Sequence, residues 1–387
     1  MTRGRSWTRA LWVTNDFPPR AGGIEQFLAN LLAQRDPGST RVLTSPWAGD
    51  GAHDAALPYA VQRIGRRPLL PSRRLARAID LVAQEHAADV VVLGALWPLG
   101  EVARAVSRPV VALTHGHEAG MVRVGLGPLV RRAAASVDAI GYISDFTRRA
   151  LVGWVGDAPL VKVPPGVDVD LFTPDVDGSP IRARHGIAPE APLVVCVSRL
   201  VSRKGQDVLV EAWPAVRARV PDARLLLVGT GPLAGALARR ISALRLQGAV
   251  TLAGEVDWAD LPRYHAAADV FAMPCRTRLA GLDVEGFGIV YLEAQASGTA
   301  VIAGRSGGAP EAVRDGETGI VVDGTSVAAV AEAVIDLLRD PERRAAMGRA
   351  GRQAAVRAHA WSAVALDLEE LLAAPTTAGG HRDPRAR

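Results

Sequence analysis

Two glutamates carry the clearest chemistry in this chain. Glu285 and Glu293 bracket the stretch Glu285-Gly-Phe-Gly-Ile-Val-Tyr-Leu-Glu293. Gly286 and Gly288 separate the first carboxylate from an apolar run that can open a helix. Eight helical residues rise about 12 Å, roughly two turns. The spacing therefore puts Glu285 at or before the helix start, near its unpaired N–H groups and positive dipole end, with Glu293 deeper on a nearby face. A glycine-rich helix start lets a ligand approach backbone and can hold a phosphate. One carboxylate can then take hydroxyls on one side of that phosphate, and the other can take hydroxyls on the far side. A nucleotide-sugar has that layout. An ordinary amphipathic helix with two surface glutamates has the same spacing.

Other residues bear on the choice. In Ser198-Arg-Leu-Val-Ser-Arg-Lys-Gly205, Arg199 and Lys204 occupy an expected strand–helix turn. There they can neutralise a diphosphate, whose charge grows as it departs; a solvated basic loop is the alternative. Gly22 and Gly23 end an earlier strand–helix loop, where backbone N–H groups can meet a phosphate or a sugar, or simply turn the chain. His115 follows a strand ending at Thr114, at the strand end that points into a ligand crevice. His115-Gly-His-Glu118 lacks the one-turn histidine spacing of a helical zinc site. Gly229-Thr-Gly-Pro-Leu-Ala-Gly235 imitates a dinucleotide fingerprint but has the wrong spacing and an intruding Pro232. Asp168-Val-Asp170 and Asp175-Val-Asp177 look like an Asp-x-Asp metal pair, yet lie in a Pro/Gly/Asp-rich stretch and read as turns. No metal site is expected.

The elements that must hold these residues alternate short β-rich runs with helical ones, the pattern of parallel α/β sheets. Strands are expected at 11–14, 41–44, 90–94, 110–114, 139–143 and 161–163, then at 193–197, 224–228, 250–253, 270–273, 299–303 and 320–322. Helices include 24–33, 73–85, 145–151, 206–218 and 327–338. The aperiodic stretch 164–191 reads as a linker. Two doubly wound halves imply a ligand cleft between them.

The chain has 387 residues, 49% hydrophobic and 22% charged, enough for two cores and unlike a disordered protein. Its 2 cysteines exclude a disulfide scaffold and fit a reducing cytoplasm. The apolar run after the basic N-terminus stops at Asn15-Asp16, too short for a signal core or a membrane span. The net charge of +5 suits an anionic partner. With 5% aromatics and no nucleic-acid motif, nucleic acid is the weakest such partner. Arg63, Arg66, Arg67, Arg73, Arg74 and Arg77 surround Leu69-Leu70-Pro71. That patch is either a solvated surface or a place to rest on anionic lipid.

The block from Pro274-Cys-Arg-Thr-Arg278 through Gly281-Leu-Asp-Val-Glu285, Ala294-Gln-Ala-Ser-Gly298 and Ser306-Gly-Gly-Ala-Pro-Glu311 resembles the retaining enzymes of glycosyltransferase family 4. Within that family it is similar to actinobacterial mannosyltransferases acting on phosphatidylinositol mannosides. The resemblance spans Asn15 to about Leu372 and implies a GT-B fold, two Rossmann-like domains facing a cleft. Domains are expected at 1–175 (acceptor) and 176–358 (nucleotide-sugar). A helix at 359–373 should cross back, followed by a disordered tail at 374–387. The resemblance implies GDP-mannose as donor and a lipid acceptor at the cytoplasmic membrane face, with no metal and no cofactor. It makes His115 the histidine that meets the transferred sugar, with Glu285 on that sugar's hydroxyls and Glu293 on the ribose. Arg199, Lys204 and the backbone of Gly286, Phe287, Gly288 and Ile289 would hold the diphosphate. Gly22 and Gly23 would border donor and acceptor, Gly229 the nucleotide, and Val256 the base. Arg203 has no such support. Alternatives are a different nucleotide-hexose with a polysaccharide, glycolipid or small-molecule acceptor, a non-catalytic nucleotide-sugar-binding or lipid-surface scaffold, or a sugar-nucleotide epimerase. Oligomeric state has no signature here.

Overall fold

Apolar runs too short for helices, such as Val90-Val-Val-Leu93 and Leu193-Val-Val-Cys-Val197, are buried along their whole length. That is the signature of strands covered on both faces in parallel sheets. A computed structural model describes residues 7–20, 22–65 and 68–377 of the chain. It divides into two units, one ending at Pro165 and resuming at Trp361, the other Gly166–Ala360.

The first unit carries β1 (Ala10–Thr14), β2 (Thr40–Thr44), β3 (Ala60–Arg63), β4 (Val90–Leu93), β5 (Val110–Thr114), β6 (Ala139–Tyr142) and β7 (Leu160–Lys162). They form one parallel sheet in the order 3-2-1-4-5-6-7. The second unit carries β8 (Leu193–Val197), β9 (Arg224–Val228), β10 (Val250–Gly254), β11 (Val270–Met273), β12 (Ala300–Gly304) and β13 (Gly319–Val322), in the order 10-9-8-11-12-13. In both sheets the order reverses beside the unit's first strand. Such switch points open a crevice at the carboxyl ends of the strands, here between β1 and β4 and between β8 and β11.

The helices are set by local signals. Ser72 and Ser144 cap their helices by accepting the N–H of Leu75 (3.1 Å) and of Thr147 (3.2 Å). Helix Arg73–Glu85 buries Leu75, Ala76, Ile79, Val82 and Ala83 and turns its arginines outward. The last helix, Trp361–Thr377, buries Trp361, Val364, Leu368, Leu371 and Leu372 in the core of the first unit. The buried guanidinium of Arg35 pairs with Glu369 and fixes that helix to the same unit.

Four expectations need correction. The stretch 164–191 is not a free linker: Val167, Phe172, Ile181 and Ile187 enter the core of the second unit, and Ser179–Arg184 is helical. The boundary accordingly falls between Pro165 and Gly166 rather than at 175/176, and the return to the first unit begins at Trp361. Strand β3 was not anticipated, because Ala-Val-Gln-Arg is a half-exposed edge strand without an apolar run. The helix expected to end near 373 runs on to Thr377. The rest of the expected tail, 378–387, lies outside the described residues, as do Arg66 and Arg67.

Candidate active site

In the second unit the switch point is built by three loops. The first follows β8, Ser198 to Gly205, and leads into helix Gln206–Arg219. The second follows β11 and runs from Pro274 to the start of helix Ile289–Ala296. The third follows β12 and holds Ser306, Gly307 and Gly308. Gly205, at φ +80°, lets the first meet the second: a Cβ there would stand 2.1 Å from the carbonyl oxygen of Pro274. Arg276 ties them again, donating its N–H to the Arg203 carbonyl (2.8 Å) and pairing its guanidinium with Asp207 (2.6 Å). Gln206, buried, donates to Ser198 Oγ (2.7 Å) and to the Arg199 carbonyl (3.0 Å), which sets the backbone from which Arg199 projects, exposed.

Glu285 lies ahead of the helix, in the loop that leads to Gly288. Its N–H donates to Ser306 Oγ (3.2 Å), and its carbonyl accepts the N–H of Gly308 (2.9 Å). Gly307, at φ +54°, is required for this embrace, since a Cβ would come within 2.0 Å of the Glu285 carbonyl oxygen. The carboxylate is 8% exposed, and Lys204 Nζ stands 2.7 Å from its Oε2. Arg203 joins it, with Nε 3.7 Å from the same oxygen and Nη1 3.6 Å from Asp283 Oδ1. Gly288 (φ +91°) caps the helix. A side chain there would strike the ring of Tyr291, whose hydroxyl donates to the Met273 carbonyl (2.6 Å). Gly286, Phe287 and Ile289 thus lead from Glu285 into a helix start with unpaired N–H groups.

Glu293 is the fifth residue of that helix. It is 4% exposed, with Oε2 3.4 Å from His265 Nε2, and His265 is enclosed by Phe172 and Phe271. Gly229, at φ +124°, donates to the Gly254 carbonyl (2.8 Å) and lies where a Cβ would meet the Ser198 carbonyl oxygen at 2.2 Å. It interlocks the loops after β8, β9 and β10. Val256, half-buried, packs on the core just past β10. Asp168 accepts the N–H groups of Asp170 (3.1 Å) and Leu171 (2.9 Å), and Asp177 accepts from Ser179. These aspartates make turns.

In the first unit the β1 loop runs from Asn15 to Gly22. Asn15 exchanges two hydrogen bonds with Leu69, and Arg20 bridges Asp16 (2.8 Å) and the buried Glu25 (2.9 Å). Gly22 has no room for a side chain, since a Cβ would lie 2.1 Å from Glu25 Oε2, whereas nothing stands within 4 Å of one at Gly23. His115 Nε2 lies 2.8 Å from the Gly94 carbonyl oxygen, which can only accept. The ring proton is therefore on Nε2 and Nδ1 is an acceptor. Burial pushes the pKa of His115 below its ordinary value, against the pull of the Gly94 carbonyl and Glu118. Glu118 is buried and accepts from Thr114 Oγ1 and the Trp97 N–H, so it holds the loops, whereas His117 is exposed. Of the arginine patch, Arg63 is turned inward onto Asp54 and the Pro18 carbonyl. Arg73, Arg74 and Arg77 are exposed beside Leu70 (60% exposed).

Arg203, Asp283, Ser306 and His265 were missed as site residues. Arg203 adjoins Lys204 and Asp283 precedes Glu285 by two, a signal in hindsight; nothing in the sequence ties His265 to Glu293.

Two Rossmann-like parallel sheets, with cations and carboxylates gathered at a switch point, define a GT-B type of glycosyltransferase. Residues 21–171 match the family described as Glycosyltransferase Family 4, and residues 178–354 match Glycosyl transferases group 1. The GDP-mannose-dependent alpha-(1-6)-phosphatidylinositol monomannoside mannosyltransferase of Mycolicibacterium smegmatis is 46% identical, over 94% of this chain and 97% of its own. The protein of that name from Mycobacterium tuberculosis is 43% identical, over 94% and 98%. Among solved structures, Anabaena Alr3699/HepE in complex with UDP and glucose superposes with a TM-score of 0.75 at 22% identity, over 95% of this chain and 99% of that one. WaaG, a glycosyltransferase involved in lipopolysaccharide biosynthesis, gives 0.67 at 20%, over 96% and 100%. The chain belongs to glycosyltransferase family 4.

Proposed function

We propose that this chain transfers mannose from GDP-mannose to a phosphatidylinositol mannoside, forming an α-1,6 linkage with retention and without a metal. The observation that carries the reading is the cluster of Lys204, Arg203 and Glu285 at the second unit's switch point, in a chain 46% identical along nearly its whole length to an enzyme of that name. Arg199, Lys204 and the N–H groups at the start of helix Ile289–Ala296 take the diphosphate. Glu285 takes hydroxyls of the mannose and Glu293 those of the ribose, while Gly229 and Val256 border the nucleotide. The first unit takes the acceptor, with Gly22, Gly23 and the Nδ1 acceptor of His115 at its own strand ends. In the transfer the bond from C1 of mannose to the phosphate oxygen breaks, and a bond from C1 to the acceptor oxygen forms on the same face. The acceptor proton passes to the departing phosphate oxygen. Cationic side chains offset the charge growing on GDP, the work a divalent ion does in other sites.

The test is incubation of the chain with radiolabelled GDP-mannose and phosphatidylinositol mannosides, with the lipid product identified and EDTA present in a parallel arm. Label in a lipid of one more mannose is the expected result, at equal rate with EDTA. Label confined to water-soluble sugar overturns the acceptor, and loss with EDTA overturns the metal-free clamp. No helix among the described residues is long and apolar enough to cross a membrane. A lipid acceptor therefore implies contact from outside the bilayer, and the outward arginines of helix Arg73–Glu85 with Leu70 suit an anionic surface. Liposome flotation should weaken when Arg73, Arg74 and Arg77 become glutamate; unchanged flotation removes this patch from the reading.

A further inference from the structure

A buried carboxylate that loses its counter-ion is costly, and the reading just given puts Glu285 in that position. Its side chain is 8% exposed and paired with Lys204, the ammonium assigned to the diphosphate. Once Lys204 turns to phosphate, a second cation must face Glu285 or the anion stands alone. Arg203 is placed for that. Its Nε lies 3.7 Å from Glu285 Oε2, the oxygen that faces Lys204, and makes no hydrogen bond of its own, so a small rotation joins it to that oxygen once Lys204 turns away. Its Nη1 lies 3.6 Å from Asp283 Oδ1. Both anchors are themselves held. The Arg203 carbonyl accepts the Arg276 N–H, and Asp283 exchanges backbone hydrogen bonds with Arg278 at 2.9 and 3.2 Å.

We propose that Arg203 is a positioning residue, holding Glu285 as an oriented anion while Lys204 serves the diphosphate, with Asp283 as its anchor. The inference rests on the donor-site reading above. A direct role on phosphate is the competing role, and Asp283 opposes it by already neutralising part of the guanidinium charge.

The experiment uses the full chain and four proteins besides wild type: Arg203→Gln, Arg203→Lys, Glu285→Gln and the Arg203→Gln/Glu285→Gln double variant. Transfer from GDP-mannose to phosphatidylinositol mannoside is followed together with GDP calorimetry, which also counts folded sites. Arg203→Gln should keep GDP affinity within about threefold while kcat falls roughly tenfold or more. Arg203→Lys should recover much of that loss by restoring the charge. In the Glu285→Gln background the Arg203 change should add little, because the group it acts through is gone. Wild-type kcat in Arg203→Gln overturns the proposal. So does loss of GDP affinity there, which makes Arg203 a phosphate ligand, and so does full additivity with Glu285→Gln. A wild-type chain that takes up no GDP overturns the donor reading and this inference together. GDP uptake with an unaltered Arg203→Gln rate overturns this inference alone.

Discussion

Glu285 and Glu293 share one motif yet live in different surroundings: the first faces two cations, the second a buried histidine. Exchanging Glu285 for Gln, Lys204 for Ala or Arg199 for Ala should lower kcat by about 10²–10³, the scale for removing one group that stabilises developing charge. Melting temperatures should stay close to wild type for Arg199→Ala and Glu285→Gln, while Lys204→Ala, which takes the nearest cation from the buried Glu285, should also lower stability; a near-normal rate in any of the three removes that residue from the mechanism. His115 gives a pH test. Its folded-state pKa lies below the ordinary 6.5 because of burial, so as pH falls below 6.5 the unfolded chain takes the proton first. Stability contributed by neutral His115 is complete above 6.5 and declines as pH drops toward the folded-state value. Urea unfolding at pH 7 and pH 5 should show wild type losing more stability than His115→Gln; equal losses contradict the assignment. At this scale the sequence was informative where a residue's type is rare for its place, as with Lys204 and Glu285. It could not tie Arg203 to Asp283 and Glu285, or His265 to Glu293, because the members of each pair lie far apart along the chain and only the fold brings them together.

Glycines separate what the elements need from what a ligand would need. Gly307 has positive φ and no space, because the loop after β12 wraps the backbone of Glu285. Gly23 has neither constraint, yet opens helix Gly23–Ala33 beside the first unit's switch point. Gly307→Ala should destabilise the chain by about 1–3 kcal/mol and disturb Glu285. Gly23→Ala should leave urea unfolding unchanged and lower turnover, as expected if a substrate approaches the backbone there. Loss of stability at Gly23 with normal turnover reverses that reading. Buried strands such as β5, β8, β9 and β11 were legible to the residue, because a run of apolar side chains bounded by polar ones has one solution in a parallel sheet. The edge strand β3 was not, since one exposed face and an arginine blur its pattern. Nor was the folded character of 166–191, where Val167, Phe172, Ile181 and Ile187 are spaced by turns rather than by any helical or strand period.

The whole chain repeats one strand order in two units of nearly equal length, but lays them out differently along the sequence. The second unit is continuous, Gly166–Ala360, whereas the first is completed only by the helix that begins at Trp361. The existence of two halves was legible from alternating strands and helices; the point of division was not, because Pro- and Gly-rich sequence looks alike whether it links or packs. The asymmetry predicts different behaviour on cutting. A chain ending at Ala360 loses Trp361, Val364, Leu368, Leu371 and Leu372 from the first unit's core. Full burial of such side chains is worth about 1.5–3 kcal/mol each, so their sum rivals a typical domain's net stability of about 5–15 kcal/mol. That fragment should lose the first unit's unfolding transition, while residues 166–360 alone should fold. They contain Arg199, Arg203, Lys204, Asp283, Glu285 and Glu293, together with the loops that hold them. Calorimetry on 166–360 should therefore detect GDP, more weakly than the full chain if the first unit also touches the nucleotide-sugar. A folded 166–360 with no uptake would mean that these residues are insufficient for the nucleotide, and the donor site would have to be sought beyond this unit.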